Sequence, residues 1–149
     1  MRTILAAVDF SEVMDPIIDH AVRMVRAFRC ALYLLHVEAP EPDFVGYEPG
    51  PQHERDYVAQ EHKEHREQML ELRDRLASEG LEVHSLMVQG PTVEKILEEA
   101  DRLNADLVVV GSHGHGALRH LILGSVSEGV IQDASCAVLV VPSHPRRAI

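Results

Sequence analysis

Five short apolar runs alternate with four segments of helical spacing along this chain. Ile4–Val8 is continuously apolar and stops at Asp9, Phe10 and Ser11, as expected for a strand buried on both faces of a parallel sheet. Ala31–Val37, Leu81–Val88, Asp106–Val110 and Ala137–Val141 predict four more strands. The third keeps partial alternation, which fits a sheet edge. The fourth runs into Gly111 and the fifth is stopped by Pro142. Between the first two strands, Ile17, Ile18, Ala21, Met24, Val25 and Phe28 share one helical face. Asp15 and Pro16 resemble a cap followed by proline in the first turn, and a start nearer Ser11 is the alternative. A polar helix over Glu54–Glu79, ended by Gly80, would be roughly 40 Å long. Its stripe is Val58, His62, His65, Met69, Leu72 and Leu76, so its first half offers histidines where apolar residues normally pack. Pro91 opens a third helix with Val93, Ile96, Leu97, Ala100 and Leu103 inward, and a short fourth helix spans Ser125–Asp133. Strict β-α alternation predicts one α/β domain over 1–149, a doubly wound, Rossmann-like parallel sheet with helices on both faces.

Two segments stand outside this alternation. Residues 40–53 hold four of the eight prolines, with Gly46 and Gly50, and form a loop longer than most connections. Residues 143–149 form a C-terminal tail. With 149 residues, 46% hydrophobic and 26% charged, the chain can bury a core without disulfide or metal staples. Cys30 and Cys136 form no C-x-x-C pair, and both read as small buried fillers. The opening Met1–Leu5 is too short for a signal peptide, and no apolar run reaches membrane-spanning length; the expected compartment is the cytoplasm. A formal net charge of −10 argues against nucleic acid as a partner, since phosphate backbones need a basic footprint. A small phosphate ligand needs only local donors. The ten histidines make the chain less acidic as pH falls toward about 6.

Five of the nine glycines lie between 111 and 129. Gly111-Ser112-His113-Gly114-His115-Gly116 leaves the fourth strand, and Gly124-Ser125-Val126-Ser127 opens the last helix. Glycines let backbone N–H groups approach an anion, and a helix N-terminus adds free donors and a favourable dipole. Ser125 and Ser127 offer hydroxyl donors to the same phosphates. The bland alternative is a glycine-rich connection with a capping serine. Ligands of open α/β sheets sit beyond the carboxyl ends of strands where the strand order reverses. This loop meets Asp9 only if the first and fourth strands are neighbours, which spacing alone does not decide.

The spacing Gly111-x2-Gly114-x9-Gly124-Ser125 resembles the G-x2-G-x9-G-(S/T) motif of the ATP-binding branch of the universal stress protein family. The likeness runs from Ile4–Asp9 to the closing Ala137–Pro142. It implies strand order 3-2-1-4-5 and an adenine nucleotide (ATP, or else ADP or AMP) between the first and fourth strand ends. By that likeness Ala7 and the backbone of Val37 flank the adenine, and Val110 closes the wall. Asp9 sits beside ribose and phosphates, and Gly111 and Gly114 pass beneath them. Gly124, Ser125, Val126 and Ser127 cradle the β- and γ-phosphates with Mg2+, which Asp9 reaches through the nucleotide. Val8, Ser112 and His115 adjoin these positions and complete the implied set. The resemblance also implies a homodimer through Ala137–Val141. Without it, the favoured reading of Asp9 is a solvated carboxylate at a strand end or a cap of the next helix.

His62 and His65 are three apart on one helical face, a spacing that can chelate a metal. Two nitrogens make a poor site and no third ligand is identifiable, so no metal held by protein alone is expected. His113 and His115 are pH-sensing or phosphate-contacting candidates with a polar-loop alternative, and Arg119 and His120, the cations of this segment, read equally as phosphate contacts or as exposed side chains. No G-x-x-x-x-G-K-(S/T) supplies a phosphate lysine, and the S-G-G-x-D-S loop of ATP pyrophosphatases is missing. No catalytic residue is identified. The expected function is a nucleotide-binding regulatory module of stress response, acting through conformation or dimerisation. The alternatives are a slow ATPase or phosphotransfer enzyme, and a structural dimer with an AMP-selective or vestigial pocket.

Overall fold

A computed structural model of the chain describes residues 1–11, 14–38, 52–112 and 123–142. The elements are β1 (Thr3–Ala7), α1 (Met14–Phe28), β2 (Ala31–Glu38), α2 (Gln52–Ser78), β3 (Val83–Gln89), α3 (Thr92–Arg102), β4 (Leu107–Gly111), α4 (Ser125–Asp133) and β5 (Ala137–Val141). The five strands form one sheet in the order β3-β2-β1-β4-β5, parallel at every pairing. The expected α/β architecture and strand order are therefore present. β3, whose alternation suggested an edge, lies at one edge and β5 at the other.

Alternate side chains of the strands feed two cores. Ile4, Ala6, Leu32, Leu34 and Val109 pack with Ile17, Ile18, Ala21, Val22 and Val25 of α1 and with Met69, Leu72 and Leu76 of α2. Leu5, Leu35, Val108 and Val110 pack on the opposite face with Ile96 and Ala100 of α3 and Val130 of α4. β1 and β4 pair centrally, Leu5 opposite Val108, and their apolar runs follow from burial on both faces.

Three helices, α1, α2 and α3, end as the chain turns left-handed. Arg29, Gly80 and Asn104 have φ of 52°, 83° and 48°, the C′ geometry that satisfies terminal carbonyls. After α1 and α3, Cys30 N–H donates to the Val25 carbonyl and Ala105 N–H to that of Ala100. Two expectations shift. Phe28, expected inward, is 48% exposed, because α1 ends there, beyond its packed stripe, and Val22 fills the core instead. Gln52 and His53, expected in the loop over 40–53, belong to α2, which begins at Gln52; residues 39–51 lie outside the described residues. Both thiols are free, and burial pushes their pKa values up, away from nucleophilic character. Among the described residues no helix is long and apolar enough to cross a membrane.

Asp106, expected as the first residue of the fourth strand, precedes β4 and clamps the start of β1. One carboxylate oxygen accepts the N–H of Arg2 at 2.6 Å and of Thr3 at 3.0 Å. These bonds hold its pKa below the ordinary value. A depressed carboxylate stabilises the fold above its unfolded pKa of about 3.9, and that contribution disappears as pH falls through the folded value. Asp106→Ala is therefore expected to lower the melting temperature at neutral pH, with the gap to the parent narrowing below about pH 3. Thermal melts at both pH values check this, and a gap independent of pH would mean the carboxylate charge contributes nothing.

Candidate functional site

The strand order reverses between β1 and β4, so their carboxyl ends flank the cleft where open α/β sheets take ligands. Four residues of the implied set meet on one side of the sheet. Val110 is buried, and Ala7, Val37 and Val126 are partly buried against the same cluster. Val8 differs, because strand alternation turns its side chain into the opposite core. Its N–H donates to the Leu35 carbonyl at 2.8 Å and its carbonyl accepts from His36 Nδ1 at 2.8 Å. Both backbone groups are thus engaged within the protein, and Val8 supports the site from behind.

Beyond Val8 the chain turns sharply. Asp9 Oδ1 accepts the Ser11 N–H at 3.0 Å and the Ser11 hydroxyl at 2.6 Å, an Asx-type turn that fixes the carboxylate beyond the carboxyl end of β1. Phe10 has φ of 56°, a strained conformation for a bulky side chain. Its ring stacks on His65 at 5.1 Å and 16° and tilts against His36 at 4.8 Å. The surrounding rings hold the turn in place.

On the β4 side, Ser112 N–H donates to the Val141 carbonyl at 2.8 Å, which ties the end of β4 to β5. Gly114 and His115, with His113, Arg119 and His120, lie outside the described residues. The chain re-enters next to where it left: Gly124 N–H donates to the Ser112 carbonyl at 2.6 Å. Gly124 caps α4 at φ −77° and ψ 157° with no side-chain cap. The first helical bond runs from Glu128 N–H to the Gly124 carbonyl, so the amides of Ser125, Val126 and Ser127 precede the helical ladder. Ser125 is exposed and Ser127 is 1% exposed. The Ser127 hydroxyl sits 2.7 Å from the Gly111 carbonyl and 3.3 Å from that of Ser112. Its single proton is committed there, which corrects the expectation of a phosphate-donating hydroxyl: the side chain locks α4 to the end of β4.

Sequence reasoning missed His36, Glu38 and Phe10. His36 is 6% exposed, and burial lowers its pKa against the opposing effect of the Val8 hydrogen bond. The available signal was a lone histidine inside an otherwise apolar strand run. His62 and His65 lie beside these residues, and His62 Nδ1 is 3.3 Å from a Glu38 oxygen. A shallow depression of about 500 Å³, lined by Tyr33, Arg73, His84 and Arg102 among others, lies at the opposite, amino end of the strands.

A five-stranded parallel sheet with helices on both faces and a strand-order switch between β1 and β4 defines a doubly wound, Rossmann-like α/β protein. The chain belongs to the universal stress protein family, whose profile matches residues 1–142. Universal stress protein MJ0531 of Methanocaldococcus jannaschii is 33% identical, over 94% of this chain and 81% of that protein. Universal stress protein YxiE of Bacillus subtilis is 32% identical, over 92% and 96%. Among solved structures, universal stress protein UspA from Lactobacillus plantarum superposes with a TM-score of 0.79 at 20% identity, covering 94% of this chain and 97% of that one. MJ0577, a universal stress protein of Methanocaldococcus jannaschii, superposes with a TM-score of 0.78 at 29% identity, covering 98% of both chains. Two further universal stress proteins of this fold, at 24% and 20% identity, were solved in complex with cAMP and with dAMP.

Ser127→Ala is expected to destabilise the protein by about 1–2 kcal/mol, because it takes the hydroxyl donor from the Gly111 carbonyl. Urea unfolding checks this. An unchanged midpoint would mean that the hydroxyl does not secure α4.

Proposed function

We propose that this chain is an adenine-nucleotide-binding regulatory module of the ATP-binding branch of its family. The observation that carries the reading is the conformation of Gly124. At φ −77° and ψ 157° any residue fits, so backbone freedom does not demand glycine there. What glycine supplies is space beside the first amides of α4, which close approach of a phosphate requires. The motif glycines, the Ala7, Val37, Val110 and Val126 wall and the fixed Asp9 carboxylate support the same assignment. The cAMP and dAMP complexes make adenine nucleotides the ligand class to test first.

In this reading the apolar wall takes the adenine and the amides of Ser125, Val126 and Ser127 take phosphate oxygens. Gly111 and Gly114 give the ribose and phosphates room, Ser112 and His115 border them, and Asp9 faces the nucleotide-bound Mg2+. A binding module is favoured over a fast ATPase because no lysine stands in the phosphate motif to balance developing charge. The β5 edge supports a homodimer. Val141 directs its carbonyl to Ser112 of β4, so alternation aims the amides of Val138 and Val140 at the outer edge. Val140→Pro removes one such donor without touching the β4 ladder. It is expected to yield a folded monomer by sedimentation, and a parent already monomeric would end the dimer assignment.

Calorimetric titration of nucleotide-stripped protein tests the nucleotide. One ATP per subunit is expected, bound more tightly with magnesium and more tightly than AMP. Gly124→Val is expected to keep the fold and weaken ATP by about tenfold or more, the worth of one or two charge-assisted hydrogen bonds. Asp9→Ala is expected to weaken ATP more in magnesium than without it. Full affinity in folded Gly124→Val would sink the phosphate assignment. Equal losses in Asp9→Ala under both conditions would remove its cation role, and AMP binding as tightly as ATP would favour the AMP-selective alternative.

A further inference from the structure

We propose that His36, Glu38 and His65 form a binding site for a transition-series divalent cation of the Zn2+ type, with His62 beside it as a fourth donor. A ligand atom from each of the three residues lies within 4.8 Å of the other two. Tetrahedral zinc with bonds of about 2.0–2.1 Å places its ligands about 3.4 Å apart. Closing the site from 4.8 Å therefore asks for up to about 1.4 Å of approach, shared between a glutamate and an imidazole side chain. The donors stand on regular elements: His36 and Glu38 on β2, His62 and His65 on α2.

Three features point to a ligand and not to a plain polar cluster. The Val8 carbonyl can only accept, so the neutral His36 ring carries its hydrogen on Nδ1 and keeps its lone pair on Nε2 as the donor atom. That is the outer-shell arrangement by which metal-binding histidines are oriented. His65 Nδ1 and Glu38 Oε1 are buried without any hydrogen-bond partner, a situation native proteins rarely leave uncompensated. The other Glu38 oxygen is 3.3 Å from His62 Nδ1, which brings a third nitrogen, and so a fourth donor, to the edge of the site. A set of imidazoles with one carboxylate suits zinc and its neighbours over Mg2+ or Ca2+, which take oxygen shells.

The location also explains why a cation would be useful. Among the described residues of α2, none before Met69 is buried, so its first half has no apolar anchor on the sheet. A metal bridging β2 and α2 supplies that anchor. It uses none of the residues assigned to the nucleotide.

The test is competition for Zn2+ between the tag-free full chain and a chromophoric chelator, with thermal melts on the same samples. One ion per chain and a raised melting temperature are expected. His65→Gln and Glu38→Gln should each weaken zinc by more than about tenfold, a loss that even outer-shell partners produce. His84→Ala, which alters an exposed histidine stacked on Tyr33, should bind as the parent does. Absence of a stoichiometric ion, unchanged affinity in both cluster variants, or an equal loss in His84→Ala would overturn the site. Mg2+ that competes with Zn2+ on equal terms would also overturn it.

Discussion

β1 and β4 pair at the centre of the sheet with apolar side chains pressed into cores on both faces. Neither strand can carry a polar side chain along its length without burying it unpaired. Any chemistry they offer is pushed to their carboxyl ends, where the strand order reverses and the two chains part. Asp9 follows one strand and Gly111-Ser112 closes the other, and every polar atom between them must find a partner near the edge. The cleft is thus a consequence of how the core is filled, and its position was settled before any ligand is considered.

The edge is held by a few directed bonds. On the β4 side, Ser112 gives its N–H to β5 and its carbonyl to Gly124, while the Ser127 hydroxyl pins Gly111. The N-terminus of α4 is thereby fixed against the strand end, with its first amides left for whatever enters. On the β1 side, Phe10 sits in a left-handed conformation that costs of order 1–3 kcal/mol. Its two ring contacts with His36 and His65, each of order 0.5–1.5 kcal/mol, offset a strain of that size. Packing against these two rings holds the turn that presents Asp9 in its strained conformation.

Much of this was legible from residue order. The span of α4 and of β5 was read from Gly124-Ser125 and from Ala137–Val141 stopped by Pro142, and the other strands differ by one or two residues at their ends. Strand neighbours were not readable from periodicity, which reports how a segment is buried and not what lies beside it; the family resemblance supplied that order. Strand parity could have separated Ala7 from Val8, since consecutive residues face opposite cores. The Ser127 bond could not be read, because a hydroxyl on the first turn of a helix can face a ligand or a carbonyl equally well. His36 was hidden by its surroundings, since one polar residue inside Ala31–Val37 does not break an apolar run.

The histidines of α2 are where pattern and packing disagree most. Met69, Leu72 and Leu76 are buried, each contributing about 1.5–3 kcal/mol, and they hold the second half of the helix to the sheet. At the corresponding positions of the first half stand Val58, His62 and His65, all only half-buried. The His62–Glu38 contact there is partly exposed, and such pairs stabilise by at most about 1 kcal/mol. A helix anchored so unevenly opens first at its amino end. That end carries His65, whose ring supports Phe10, and Phe10 follows directly on Asp9. Whatever steadies the first half of α2 therefore also steadies the turn that presents the carboxylate at the cleft, so a helix that looks peripheral in the sequence forms part of the back wall of the site.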